Sequence, residues 1–141
     1  MRNITLNSYQ FRLTTNLPLK IRKVTIVTIP VFSSPPEQKP DFSEKSGFFL
    51  LAGILDYAPE PDGGVFIELL MLAPACRGRG LGEAVMDWLQ GETRASVLRA
   101  AVQVNNPEAI RFWQRIGFRI TGPAALQNDG TTTYPLERTT P

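Results

Sequence analysis

Two adjoining stretches decide the fold: Val65-Phe66-Ile67-Glu68-Leu69-Leu70-Met71-Leu72, and then Ala75-Cys76-Arg77-Gly78-Arg79-Gly80-Leu81-Gly82. The first is an apolar run of strand length. The second is a glycine-rich turn, and an amphipathic segment, Glu83 to Gln90, follows it. The order strand, glycine turn, helix aims unpaired backbone N–H groups and the positive end of a helix dipole at one point, an arrangement suited to phosphate. Glycine lets the backbone approach an anion closely and accepts positive φ. Arg77 and Arg79 add positive charge.

Outward from this stretch, the pattern alternates. Ile4 to Thr14 reads as a first strand and Leu19 to Phe32 as a second, with changes of register. Ser33 to Ser46, with Pro35, Pro36 and Pro40 among polar residues, reads as a loop. Gly47 to Tyr57 reads as a buried strand, and Pro61-Asp62-Gly63-Gly64 as the turn that returns it antiparallel into Val65 to Leu72. After the glycine turn, Leu81, Ala84, Val85, Trp88 and Leu89 fall on one helical face. Leu98 to Val104 is a short strand. Asn106-Pro107 opens a second helix, with asparagine as N-cap and proline at the first helical position. Ala109, Phe112, Trp113 and Ile116 share a face of it, and Gly117 ends it. Asn128-Asp129-Gly130 marks a hairpin between Phe118 to Leu126 and Thr131 to Leu136. The alternation predicts a mixed α/β domain over 1–141, with no internal repeat.

Composition excludes several chemistries. The chain has 141 residues, 43% of them hydrophobic, enough for one domain with a real core. It has no histidine, which removes Ser-His and Cys-His catalysis and imidazole metal sites. Cys76 is the single cysteine, so no intrachain disulfide or thiolate zinc cluster forms, and no metal is expected. Cys76 next to a basic loop is either a stabilised thiolate or, more simply, a filler of apolar space. No apolar run approaches the length needed to cross a bilayer. The reading is a soluble, cytoplasmic protein with no membrane partner. The net charge of +2 does not argue for nucleic acid, and no nucleic-acid partner is expected. No acid precedes Glu37, while Arg2, Arg12, Lys20, Arg22 and Lys23 do. That basic stretch reads as a strand with a solvated face.

Three phosphate loops compete for Gly78 to Gly82. A nucleotide-triphosphate loop needs a Lys-Ser/Thr that is missing here. A dinucleotide loop needs Gly-x-Gly-x-x-Gly in a parallel βαβ unit, whereas this loop is Gly78-x-Gly80-x-Gly82 after an antiparallel strand. The third pattern fits: Arg77-Gly78-Arg79-Gly80-Leu81-Gly82 resembles Arg/Gln-x-x-Gly-x-Gly/Ala, the acyl-CoA pyrophosphate loop of the GNAT superfamily of N-acetyltransferases. Asn106-Pro107-Glu108-Ala109, then Phe112-Trp113, then Gly117-Phe118 resembles the family's C-terminal motif. The resemblance covers about 48–138.

What the resemblance implies can be placed by residue. The fold would be GNAT-like: a central, mostly antiparallel mixed sheet flanked by helices. Acetyl-CoA would be the co-substrate. The backbone at Leu70, Met71 and Leu72 would pair with the pantetheine amides as an added strand does. Backbone N–H groups from Arg77, Gly78, Arg79, Gly80, Leu81 and Gly82 would hold the pyrophosphate; Arg79 would touch phosphate or stay solvated. Asn106 would cap its helix and contact the cofactor. Trp113 stands where relatives often carry a tyrosine that serves the leaving thiolate. An indole cannot act as that acid, so it would pack on the pantetheine arm or in the core, and Tyr134 or solvent would supply the proton. Glu68 is the catalytic candidate, as base or as the residue that orders the water, with a structural acid as its other reading. The activity implied is acetyl transfer to a primary amine of a small molecule or peptide. The alternative is an acyl-CoA-binding module without transferase activity. Family acceptor sites are built largely by N-terminal helices, and no amphipathic helix is legible there. The acceptor site would then be shortened, mobile, or completed by the second subunit of a homodimer.

Overall fold

The computed structural model describes residues 5–12, 21–30 and 49–140. Strands β1 (Thr5–Arg12), β2 (Ile21–Pro30), β3 (Phe49–Pro59) and β4 (Val65–Leu72) run antiparallel in sequence order. A short 3-10 turn, Pro74–Cys76, leads to helix α1 (Leu81–Thr93). Then come β5 (Val97–Gln103), α2 (Pro107–Arg115), β6 (Arg119–Ile120), β7 (Ala125–Leu126) and β8 (Thr132–Thr139). The sheet order is β1-β2-β3-β4-β5-β8-β6, with β7 also on β8. Among the described residues, only β4 and β5 pair in parallel, across the α1 crossover.

The core lies where the sheet meets α1 and α2. Val65 and Ile67 of β4, Leu98, Ala100 and Val102 of β5, and Leu136 of β8 are buried with Val85, Met86 and Leu89 of α1. Each large aliphatic side chain buried this completely contributes about 1.5–3 kcal/mol. Trp113 of α2 and Ile116, its C-cap, join that cluster, with Phe118 just beyond the helix; the Trp113 and Phe118 rings meet edge-on at 4.8 Å.

The caps follow the sequence. The Asn106 side chain accepts from the Ala109 N–H at 3.1 Å, and Pro107 stands at the first turn. Gly117 takes φ +100°, where a side chain would be strained. β4 keeps the bounds read from its apolar run. α1 extends past Glu83–Gln90 at both ends, and Arg94 closes it at φ +54°.

One reading changes. The expected strand from Phe118 to Leu126 is broken into β6 and β7. Gly122 and Pro123 interrupt it, and proline has no N–H to give a ladder. The Asn128-Asp129-Gly130 turn survives the break: Asp129 accepts from the Thr131 N–H and hydroxyl, and Gly130 takes φ +85°. Those two bonds hold the Asp129 carboxyl below the usual carboxylate range. In β2, one register shift falls between Val27 and Thr28. The proline-rich stretch Ser33 to Ser46 lies outside the described residues.

Arg99 of β5 clamps the base of the parallel pair. Its guanidinium bonds Glu60 at 3.2 Å and Asp62 at 2.8 Å in the β3–β4 turn, and Glu137 of β8 at 3.1 Å. The guanidinium, helped by the Gly64 N–H, holds the Asp62 carboxyl below its ordinary value.

Candidate active site

The site begins where two strands part. β4 and β5 are paired only at Val65↔Leu98 and Phe66↔Arg99. Beyond that point β4 runs on to Leu72, and its β5-facing edge has no ladder partner among the described residues. Backbone donors and acceptors on such an edge can take an extended ligand as an added strand.

The glycine loop closes over the end of this edge. The Arg77 Nε donates to the Leu72 carbonyl at 3.1 Å, tying the loop to the last residue of β4. Gly78 and Gly80 take φ +73° and +75°, a conformation that strains any residue with a side chain. A Cβ built on either would meet nothing within 4 Å, so φ, not crowding, demands glycine, and the backbone is open to a ligand. Gly80 is the N-cap of α1 and gives no side-chain cap. The first N–H groups of α1 are thus left for an anion. These features fit a pyrophosphate.

A groove of about 700 Å³ joins these parts. Of the expected cofactor residues, Leu70, Met71, Leu72, Arg77, Gly78, Gly80, Leu81, Gly82 and Asn106 line it. Arg79, Glu68 and Trp113 are not among its lining residues. Arg79 is exposed on the loop. Glu68 is exposed on β4, at a register shift: Tyr57 pairs with Ile67 but Asp56 with Leu69, which leaves Glu68 as the extra residue of a bulge. Trp113, placed by the sequence reading on the pantetheine arm or in the core, is in the core, 8% exposed. Adjacent helical residues point about 100° apart. The aromatic that faces the groove is its neighbour Phe112.

Sequence reasoning left Arg111 and Arg115 of α2 out of the site and put Phe112 on the core-facing side, whereas all three line the groove. With Glu108 they fall at i, i+3, i+4 and i+7, one helical stripe. For Arg111 and Arg115 that spacing is a usable signal. Arg77, Arg111 and Arg115 outnumber Glu83 and Glu108 on the groove wall, which favours an anionic ligand. Cys76 also lines the groove and is a free, buried thiol. Among the described residues no group of three metal-ligating side chains occurs, and no helix is long and apolar enough to cross a membrane.

Comparison with known proteins agrees with this geometry. The chain is 29% identical over 96 residues to the peptidyl-lysine N-acetyltransferase YjaB of Salmonella typhimurium, which covers 68% of this chain. The chain spans 57% of that relative's length. Its fold is similar to that of a nourseothricin acetyltransferase, with a TM-score of 0.61, 16% identity, all of this chain and 89% of that one. It is also similar to Ard1 from Thermoplasma volcanium, with a TM-score of 0.57, 23% identity, 82% of this chain and 69% of that one. The sequence model of the Acetyltransferase (GNAT) family matches residues 31–118, beginning before the expected motif core and ending at Phe118. That match takes in the loop, both helices and more than half of the chain, and the protein therefore belongs to the Acetyltransferase (GNAT) family.

Proposed function

We propose that the groove binds acetyl-CoA and that the protein transfers the acetyl group to a primary amine. The observation that carries this reading is the meeting of the uncapped α1 N-terminus, the glycine loop and the open edge of β4 in one groove. The loop would hold the pyrophosphate, and the β4 edge near Leu70 and Leu72 would pair with the pantetheine amides. Acetyl-CoA supplies a thioester carbonyl: the C–N bond to the amine forms, the C–S bond breaks, and its electron pair leaves on sulfur.

The chain's own residues then have few tasks. Backbone N–H groups of β4 near the bulge offset charge that develops on the carbonyl oxygen. Glu68, or a water it orders, takes the proton that the attacking nitrogen must lose. Solvent or Tyr134 returns a proton to the thiolate; Tyr134 is half-buried on β8, opposite Val102. The acceptor is an amine of a small molecule or a peptide.

A second reading, cofactor binding without transfer, is favoured by one observation: α2 offers the groove Phe112, and no phenol. Release of free thiol from acetyl-CoA across a panel of amines separates the two. Transfer predicts amine-dependent release; a binding module gives a thermal shift with acetyl-CoA and no release above buffer.

A further inference from the structure

Helix α2 lays two positive charges along the groove. Arg111 and Arg115 stand at i and i+4, both are exposed, and both line the groove wall. Like charges at that spacing repel and weaken a helix. Arg115 has a local compensation, since a cation in the last turn suits the helix dipole. Arg111, at the middle of the helix, has none. Among the described residues neither guanidinium has a carboxylate partner, and Glu108, on the same stripe, pairs with neither. Two repelling cations left unpaired on a groove wall are offset by an anion that both can reach.

Phe112 fixes where this stripe lies. Its ring fills the space that a Cβ on Gly82, in the first turn of α1, would need. Arg111 precedes Phe112 by one residue and Arg115 follows it by three, so both cations stand on the groove wall next to the glycine loop. At that end the pyrophosphate already has its donors in the reading above: the open N–H groups of α1, the loop backbone and Arg77. Two further cations call for a further anion at the same end. Coenzyme A carries one, the 3′-phosphate monoester of its ribose, which is largely dianionic at pH 7. A guanidinium meets phosphate oxygens with two parallel N–H bonds, which a solvated surface arginine does not use.

We propose that Arg111 and Arg115 bind the 3′-phosphate of coenzyme A. The pair thereby selects the free coenzyme A thioester as donor over a phosphopantetheine thioester, which lacks the nucleotide. The proposal rests on the acetyl-CoA reading above and adds the recognition of the nucleotide end.

The test is calorimetric titration of the full chain with coenzyme A and with 3′-dephospho-coenzyme A, which keeps the pyrophosphate and the pantetheine arm. The wild type should bind coenzyme A about tenfold more tightly, the scale of hydrogen bonds between charged groups. That gap should narrow as salt rises, because the site is open to solvent. Arg111→Gln with Arg115→Gln should bring the two Kd values together by weakening coenzyme A alone; the Tm of the variant without ligand verifies its fold. Equal Kd values in the wild type, a gap that survives in the double variant, or equal weakening of both ligands would overturn the proposal, the last by giving the arginines to the pyrophosphate. Binding of neither ligand by the wild type would overturn the acetyl-CoA reading and this inference with it.

Discussion

Gly82 of α1 and Phe112 of α2 are in direct contact: a Cβ added to Gly82 would stand 2.5 Å from the Phe112 Cζ and 2.6 Å from its Cε2. The same Cβ would lie 3.7 Å from a Leu72 methyl, so helix, helix and strand end meet at this glycine. Both Gly82 and Phe112 line the groove. Gly82 has an ordinary helical φ, so close approach, not backbone conformation, calls for glycine here.

Gly82→Ala should therefore act on the ligand more than on the fold. The Phe112 ring is half-buried and can swing, and it would swing into the groove. We expect the Kd for acetyl-CoA to rise about tenfold, with a loss of stability within the 1–3 kcal/mol of an overpacked contact. Calorimetric titration beside denaturant unfolding checks this. A large loss of stability with unchanged affinity would place the contact in the core alone.

Trp113 carries the opposite expectation. It is buried and stands edge-on to both Phe112 and Phe118. Trp113→Ala should cost about 3–5 kcal/mol of stability, the range for emptying a buried aromatic site. Trp113→Phe should recover most of it. Urea unfolding of the two variants gives the comparison; equal stability of wild type and the alanine variant would contradict the core placement.

Arg99 predicts a pH signature. Asp62, held by Arg99 below its ordinary value of 3.8, contributes stability that is present above that value and is lost as pH falls through the lowered one. Arg99→Met should lower Tm by a few degrees at pH 7, since three carboxylates lose one partner. The gap between variant and wild type should narrow as the pH drops below the usual carboxylate range. A gap independent of pH would mean that Arg99 acts through packing of its stem.

Glu68→Gln tests the base. Turnover should fall on the order of 10²-fold, the scale of general-base effects. Affinity for acetyl-CoA should hold, because Glu68 lies outside the groove lining. The deficit should shrink as pH rises, since more of the amine is then already neutral. Turnover unchanged across pH would return Glu68 to a structural role.

Much of this architecture is written locally. β4, the positive-φ glycines and the Asn106-Pro107 cap are set by residues within a few positions of one another, and the structure has them where the pattern put them. The features that depend on pairing at a distance were not legible. The bulge at Glu68 arises from the register of β3 on β4, and the parting of β4 from β5 is the end of a ladder of two residue pairs. The Phe112–Trp113 pair shows the limit most clearly. The helical pattern put both on one apolar face, and only the packing of α2 decides which ring meets the core and which the groove. The break at Gly122-Pro123 has a local cause too, since proline has no N–H to give a ladder.

The central claim, an acetyl-CoA site built on the glycine loop, is tested most directly by acetyl-CoA binding to the wild-type chain and to Gly80→Asp. The substitution puts a side chain and a negative charge at a φ of +75°, at the N-cap of α1 and in space open to the ligand. The account predicts that saturating acetyl-CoA raises the Tm of the wild type by several degrees, that coenzyme A does the same, and that Gly80→Asp loses most of the shift. A shift with NADH or ATP and none with coenzyme A, or a full acetyl-CoA shift retained by Gly80→Asp, would contradict it.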